Sequence, residues 1–425
     1  MKIGIYLNDK GMNNMDLRFP DKGNPGIGGT EYCLLMLGYA LGQYIPQVEV
    51  IYLHYNSNLL PVNCTELIVS SEEECIAVTK EHKIDLLVHI SGRSDEWYQM
   101  LEENQISAIL WAHCFLTAPE LRLVTKCKAV KRVVFVGKEQ YDTYLDHDII
   151  NKSTYIYNML FMQKEKYNRN ADFHPWVTYV GSLTWGKGFD IMAKSWPYIV
   201  KKVPEAELHV LGSGKLYDKN SRLGKYQLAE ASFENTFMPY LTDEKGNILP
   251  SVIFHGLVGE GKEQIFNDTA VGVINPSAIT ETFGISGVEM EACGVPVATK
   301  GKYGLLDTVI HKKTGLLSKS DRQFARNVIT LLKDRELNKE LGWEAQKFVQ
   351  EAFEPEKLAN QWLEVFVQAL EETECIFQKP QGHYTNDMKW VRIVLRFIRF
   401  KLGLKRCPSL IEWKFMIKKI LKGHE

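Results

Sequence analysis

Two glutamates, Glu281 and Glu289, stand eight residues apart in the stretch NPSAITETFGISGVEMEACGVPVAT, one on each side of Phe283-Gly284. The apolar, β-branched run Ala270-Val271-Gly272-Val273-Ile274 before them reads as a buried strand, and Asn275-Pro276-Ser277 ends it. Ser286 is expected to cap the following helix, with Glu289 three residues on completing a capping box. The helix should stop before Gly294, and Pro296-Val297-Ala298 begins another strand. A strand, a loop with one carboxylate and the amides of a helix start thus meet at one point. Such a point suits an anion that also carries hydroxyl groups, as a phosphorylated sugar does. The plainer reading makes Glu289 only a capping residue and Glu281 a solvated loop carboxylate; the combined spacing and its flanks outweigh it.

These residues resemble the signature of family 4 retaining glycosyltransferases of the GT-B fold, of the bacterial polysaccharide and glycolipid type. The resemblance implies that Glu281 holds donor-sugar hydroxyls and Glu289 the ribose of the nucleotide. It implies too that Phe283, Gly284 and Ile285 bring backbone amides to the sugar and phosphate. The Gly28-Gly29 pair in the loop after the first strand is similar to the family's loop facing the donor diphosphate. By itself a glycine-rich loop before a helix is weak evidence, and this one lacks the G-x-G-x-x-G spacing of a dinucleotide fingerprint.

Such a site must be positioned by strands. The chain has 425 residues, too many for one core and fitting two domains. With 45% hydrophobic and 24% charged residues it has the composition of a soluble globular protein. No apolar run approaches a membrane span, and a signal-peptide pattern is lacking at the start. Eight scattered cysteines without a Cys-x-x-Cys pair argue against a zinc site or disulfide framework and for a reducing cytoplasm.

Strand and helix signals alternate from Met1–Leu7 through Val48–His54, Leu86–Ile90, Ala108–Ala112 and Arg132–Val136, the rhythm of a doubly wound parallel sheet. Two of these strands end at His89 and His113. Carboxyl ends of parallel strands are where open α/β sheets bind ligands. His89 reads as a core histidine, whereas the resemblance places His113 near the donor sugar. Tyr155-Ile156-Tyr157-Asn158 resembles the family's last strand of the first domain, and the domain boundary is expected within 162–174.

Trp176–Leu183 followed by Lys187-Gly188-Phe189-Asp190 opens the second domain and is similar to the family's Gly-Arg-Leu…Lys-Gly element. There an arginine and a lysine clamp the diphosphate. Lys187 matches the lysine, but Ser182 stands where the arginine is usual. Either another cation substitutes or the phosphate is held differently, and a lysine cannot reproduce the arginine fork. Glu207–Leu211 is the next strand and runs into Gly212, counted with the donor-binding residues. Residues 215–250 form an insertion of undecided role, followed by a strand at Val252–Gly256. Gly259-Glu260-Gly261-Lys262 lacks the full P-loop pattern, and Asp146-His147-Asp148 only superficially resembles a metal-binding Asp-x-Asp. No metal is expected.

From residue 379 onward twelve Lys/Arg face three Asp/Glu, while residues 1–378 hold 39 basic and 49 acidic residues. Lys389, Arg392, Arg396 and Arg399 recur at helical spacing, with Trp390, Ile393, Val394 and Phe397 around the rest. A second segment repeats the theme with Trp413, Phe415, Ile417 and Leu421. Residues 389–422 therefore read as a basic amphipathic tail lying on an anionic membrane surface; the plainer alternative packs both helices on the first domain.

The expected architecture is GT-B: Rossmann-like domains over 1–165 and 175–352 with a cleft between them, a crossing helix at 353–372 and a helical tail at 379–425. The expected activity is retaining transfer of a hexose-type sugar from a UDP- or GDP-linked donor to a saccharide or lipid-linked acceptor. Glu281, His113 and Lys187 are the expected catalytic residues, with no cofactor and no nucleic-acid partner. The expected location is cytoplasmic, peripheral on the inner face of the cell membrane. The alternatives are a nucleotide-sugar epimerase of the same fold and a non-catalytic, membrane-attached subunit.

Overall fold

The computed structural model describes residues 1–162, 173–214, 222–259 and 261–422. Residues 163–172, where most of the expected domain boundary falls, lie outside the described residues, as do 215–221 of the insertion and Glu260. The chain forms two compact units, each built on a wholly parallel sheet.

The first unit comprises residues 1–18, 34–158 and 355 onward. Its seven strands are β1 (Lys2–Tyr6), β2 (Glu49–His54), β3 (Thr65–Ile68), β4 (Leu86–Ile90), β5 (Ala108–Ala112), β6 (Val130–Phe135) and β7 (Ser153–Tyr155), in the order β3-β2-β1-β4-β5-β6-β7. β4 and β5 are almost entirely buried because helices cover both faces, as a parallel sheet requires. The last strand covers Ser153–Tyr155 rather than Tyr155–Asn158, so Asn158 lies beyond the sheet. Helix Pro355–Leu370 belongs to this unit; its Trp362 meets Trp111 edge-on at 5.0 Å, and Arg132 donates to the Gln368 carbonyl at 2.7 Å.

The tail overturns an expectation. Its basic face forms, over helix Lys389–Arg396 and the wider turn Phe397–Lys401, but three of its cations point inward. Lys389 Nζ lies 2.7 Å from Glu139 and 2.8 Å from Asp142. Arg392 reaches Asp146 at 3.3 Å and Asp387 at 2.6 Å, while Arg399 reaches Asp148 at 2.7 Å. Asp146 also accepts the Leu410 amide. The Asp146-His147-Asp148 motif is therefore a dock for the tail. A charge buried on both partners persists only with this kind of pairing.

The second unit comprises residues 19–33 and 159–354. Its strands are β8 (Trp176–Val180), β9 (Glu207–Leu211), β10 (Val252–Gly256), β11 (Thr269–Val273), β12 (Val297–Lys300) and β13 (Gly315–Ser318), in the order β10-β9-β8-β11-β12-β13. Strand order reverses between β8 and β11, which pair directly. That switch point is where the loops leaving two neighbouring strands diverge to opposite faces and leave a crevice. The described part of the insertion is not decoration: Phe233 and Phe237, on helix Ala231–Phe237, are buried against Trp185 and Phe189.

Candidate functional site

The loops leaving β8 and β11 carry Lys187 and Glu281, so the switch point brings together two of the three expected catalytic residues. Lys187 Nζ lies 3.0 Å from Glu281 Oε2. Asn275 Nδ2 donates to the same oxygen at 3.0 Å and to the Ile279 carbonyl, closing the loop on itself. Ser277 Oγ ties the two loops through the Gly186 carbonyl at 2.8 Å. Asn275, Ala278 and Thr280 all have positive φ. Left-handed backbone at three non-glycine residues is a strain that persists only where surrounding bonds over-determine it, a pattern typical of functional loops.

Glycine makes the convergence possible at two places. A Cβ on Gly212 would stand 1.9 Å from the Gly181 carbonyl oxygen, so the ends of β8 and β9 can approach only with a bare backbone there. Gly188, with φ +70°, would carry a Cβ 2.5 Å from the Ser277 amide nitrogen.

Helix Ile285–Ala292 starts differently from the expectation. Its N-cap is Gly284 in the left-handed region, φ 88°, with no side-chain cap; Ser286 lies inside the first turn. The capping box therefore does not form, and Glu289 is turned to another partner. Lys262 Nζ sits 2.6 Å from Glu289 Oε1, both side chains being buried. Lys262 had looked like the remnant of a failed P-loop; the signal that could have found it is the missing cation at Ser182. Ser182 itself is buried, its Oγ 3.0 Å from Thr184 Oγ1.

Around Glu289 the environment is dry and acidic. Burial pushes the Cys33 thiol well above its ordinary range, and the charges of Glu289 and Glu31 add to this. Burial likewise raises the Glu31 carboxyl. The loop bearing Gly28 and Gly29 belongs to this unit, and a Cβ on Gly29 would stand 3.2 Å from Ile285. Phe283 is buried with its ring edge-on to Phe353 at 5.4 Å, so its side chain anchors the loop and only its backbone can face a ligand.

The second unit thus assembles Gly28, Gly29, Ser182, Lys187, Gly212, Glu281, Phe283, Gly284, Ile285 and Glu289. His113 belongs to the first unit, at the carboxyl end of β5, its ring 4.3 Å from that of Trp111. Burial lowers its pKa to about 3, so it is a neutral imidazole at ordinary pH. His89 is fully buried, donates from Nδ1 to the Ile90 carbonyl, and is likewise lowered to about 3, as befits a core residue. Chemically, the second unit offers two lysine-held carboxylates for hydroxyl groups, and a lysine and helix amides for an anion.

Residues 174–334 match the family model described as Glycosyl transferases group 1. The match takes in 161 of the chain's 425 residues. It contains Ser182, Lys187, Lys262, Glu281 and Glu289. Beyond it, the chain is 25% identical over 213 residues to the Staphylococcus aureus capsular polysaccharide biosynthesis glycosyltransferase CapM, covering 50% of each; it spans about half the length of that relative. Among solved structures, sucrose-phosphate synthase from Thermosynechococcus elongatus superposes with a TM-score of 0.68 at 16% identity, covering 88% of this chain and 100% of that one. Anabaena Alr3699/HepE, solved in complex with UDP-glucose, gives 0.63 at 15% identity over 87% and 100%. The fold is GT-B.

Proposed function

We propose that the chain transfers a hexose-type sugar from a nucleoside-diphosphate sugar to a saccharide or lipid-linked acceptor, with retention at the anomeric carbon. The observation that carries this reading is the pair of lysine-held carboxylates, Lys187 with Glu281 and Lys262 with Glu289, on the two sides of the Gly284 helix start. Glu281 accepts donor-sugar hydroxyls and Glu289 the ribose hydroxyls. Lys187 and the amides at Ile285 stabilise the diphosphate as it departs, which is where charge develops. Lys262 holds Glu289 in place for the ribose. His113, neutral, serves as a hydrogen-bonding group towards the sugar rather than as a charge.

UDP is the nucleotide we favour, since HepE was solved with UDP-glucose. The likeness to CapM supports a role in polysaccharide biosynthesis. The enzyme works at the inner face of the membrane, with no metal in the site. Calorimetric titration with UDP-, GDP- and ADP-glucose tests the reading: one of them should bind, and a ligand at about 100 times its dissociation constant should stabilise the fold by ~2.7 kcal/mol. Absence of binding by all three, in a folded protein, would overturn it.

A further inference from the structure

Three cations of the tail, Lys389, Arg392 and Arg399, are turned away from its surroundings. On helix Lys389–Arg396 the inward residues Lys389 and Arg392 lie on one side, and Trp390, Val394 and Phe397 follow one another at steps of four and three on the other. That other side is open: Trp390 is 58% exposed and Phe397 56%. On this helix the polarity is the reverse of an ordinary surface helix, in which apolar residues turn inward and charges outward. Helix Leu410–Lys422 adds Trp413, Ile417, Ile420 and Leu421 to the exposed apolar surface, the last two 63% and 68% exposed, beside its own exposed lysines. Contiguous exposed apolar surface of this kind marks an interaction site.

Further cations border it. Lys405, Arg406, Lys418 and Lys419 are exposed, and none of them takes part in an ion pair among the described residues. The occupant must therefore combine an apolar phase with negative charge. A second copy of the chain fits poorly, because self-pairing would bring like charges together.

We propose that this face is a lipid-docking surface. Trp390, Phe397, Trp413, Ile417, Ile420 and Leu421 enter the boundary between headgroups and acyl chains of an anionic bilayer. Lys405, Arg406, Lys418 and Lys419 meet its phosphates. The buried pairs to Glu139, Asp142, Asp146 and Asp148 hold the tail to its own unit and aim the apolar side chains outward. This inference stands apart from the catalytic reading and is tested without a sugar donor.

The test is co-sedimentation of the full chain with vesicles of phosphatidylcholine alone and of phosphatidylcholine with phosphatidylglycerol, at low and high salt. Binding is expected to the anionic vesicles, weakened but not abolished by high salt, since the apolar contribution is unscreened. The variant Trp413→Ser/Ile417→Ser/Ile420→Ser should partition at least about tenfold less, with an unchanged thermal midpoint because these residues are exposed. Lys418→Glu/Lys419→Glu should lose the preference for anionic over neutral vesicles. The proposal is overturned if the full chain ignores anionic vesicles at low salt. It is equally overturned if the apolar variant binds like the parent, or if the parent dimerises through the tail in sedimentation velocity and the apolar variant does not.

Discussion

Lys262 touches Glu289 at 2.6 Å although 27 residues separate them, and both side chains are largely buried. Such a pair leaves the second carboxylate oxygen of Glu289 to accept hydroxyls, while the lysine keeps the first in place. Lys262→Met should raise the Michaelis constant for donor by about 10- to 100-fold with turnover largely kept, the span expected for hydrogen bonds to charged groups. Removing one partner of a buried pair also destabilises, by about 3–5 kcal/mol. The double variant Lys262→Met/Glu289→Met should recover most of that stability without recovering donor affinity. Chemical denaturation and nucleotide calorimetry on the three proteins separate the two effects.

Lys187 and Glu281 are partly open to solvent, and on the proposed reading they face the reacting end of the donor. Lys187→Ala should lower kcat/KM by a factor of about 10²–10³, comparable to removing one preorganised donor to a developing charge. Glu281→Gln should lower turnover strongly with little loss of stability. Because the two touch, the double variant should fall less than the product of the singles. Steady-state kinetics on the four proteins measures this; unaltered turnover in Lys187→Ala would misplace the phosphate site.

Ser182→Arg, which would restore the family's usual cation, should not improve donor binding. The serine is buried against Thr184, and an arginine there must displace packed neighbours at a cost of about 1–3 kcal/mol. A lowered thermal midpoint with unchanged or weaker nucleotide affinity is the expected result.

Histidine burial sets a pH dependence of stability. His89 and His113 are lowered to about 3 in the folded chain, so near pH 5 the unfolded chain binds protons that the folded one refuses. Stability is therefore complete above the ordinary histidine range near 6.5 and falls as pH drops from there towards 3. Each such group removes up to about 1.4 kcal/mol per pH unit. Denaturant midpoints at pH 7.5 and pH 5 should differ less in His89→Gln than in the parent, whatever the absolute stability of the variant.

A chain ending near Cys375 should be less stable than the full one. Glu139, Asp142 and Asp146 are fully buried and would lose Lys389 and Arg392 together. Lys389→Met alone should cost about 3–5 kcal/mol by the same logic. Thermal denaturation of Lys389→Met, and aggregation of the shortened chain, are the measurements.

Much of the fold was legible where one physical signal acted alone. Leu86–Ile90, Ala108–Ala112, Glu207–Leu211 and Val252–Gly256 were read residue for residue, because strands in a parallel sheet are apolar runs punctuated by turns. Thr65–Ile68 was missed, since this edge strand is mostly exposed and has no apolar run. At Ser286 a capping-box pattern competed with the left-handed Gly284, and the backbone geometry won. Lys187 and Glu281 were each marked by a motif of their own, and their contact, like that of Lys262 with Glu289, could be reached only through the sheet. For the tail, helical spacing showed which residues share a face but not which face turns inward. That depended on carboxylates 246 to 251 residues upstream.

The distance between those carboxylates and their cations has a consequence during synthesis. The first unit is completed by the last stretch of the chain, whereas from residue 159 to 354 the second unit is continuous apart from one early loop. At about 5–20 residues per second, a ribosome needs roughly 10–50 s to travel the 246 residues from Asp146 to Arg392. Through that interval Glu139 and Asp146 lack Lys389 and Arg392, while Asp142 already has Lys138 four residues upstream. The later-born unit can close first, and the nascent amino-terminal sheet depends on holding factors or on its own solvation until its closing helices emerge.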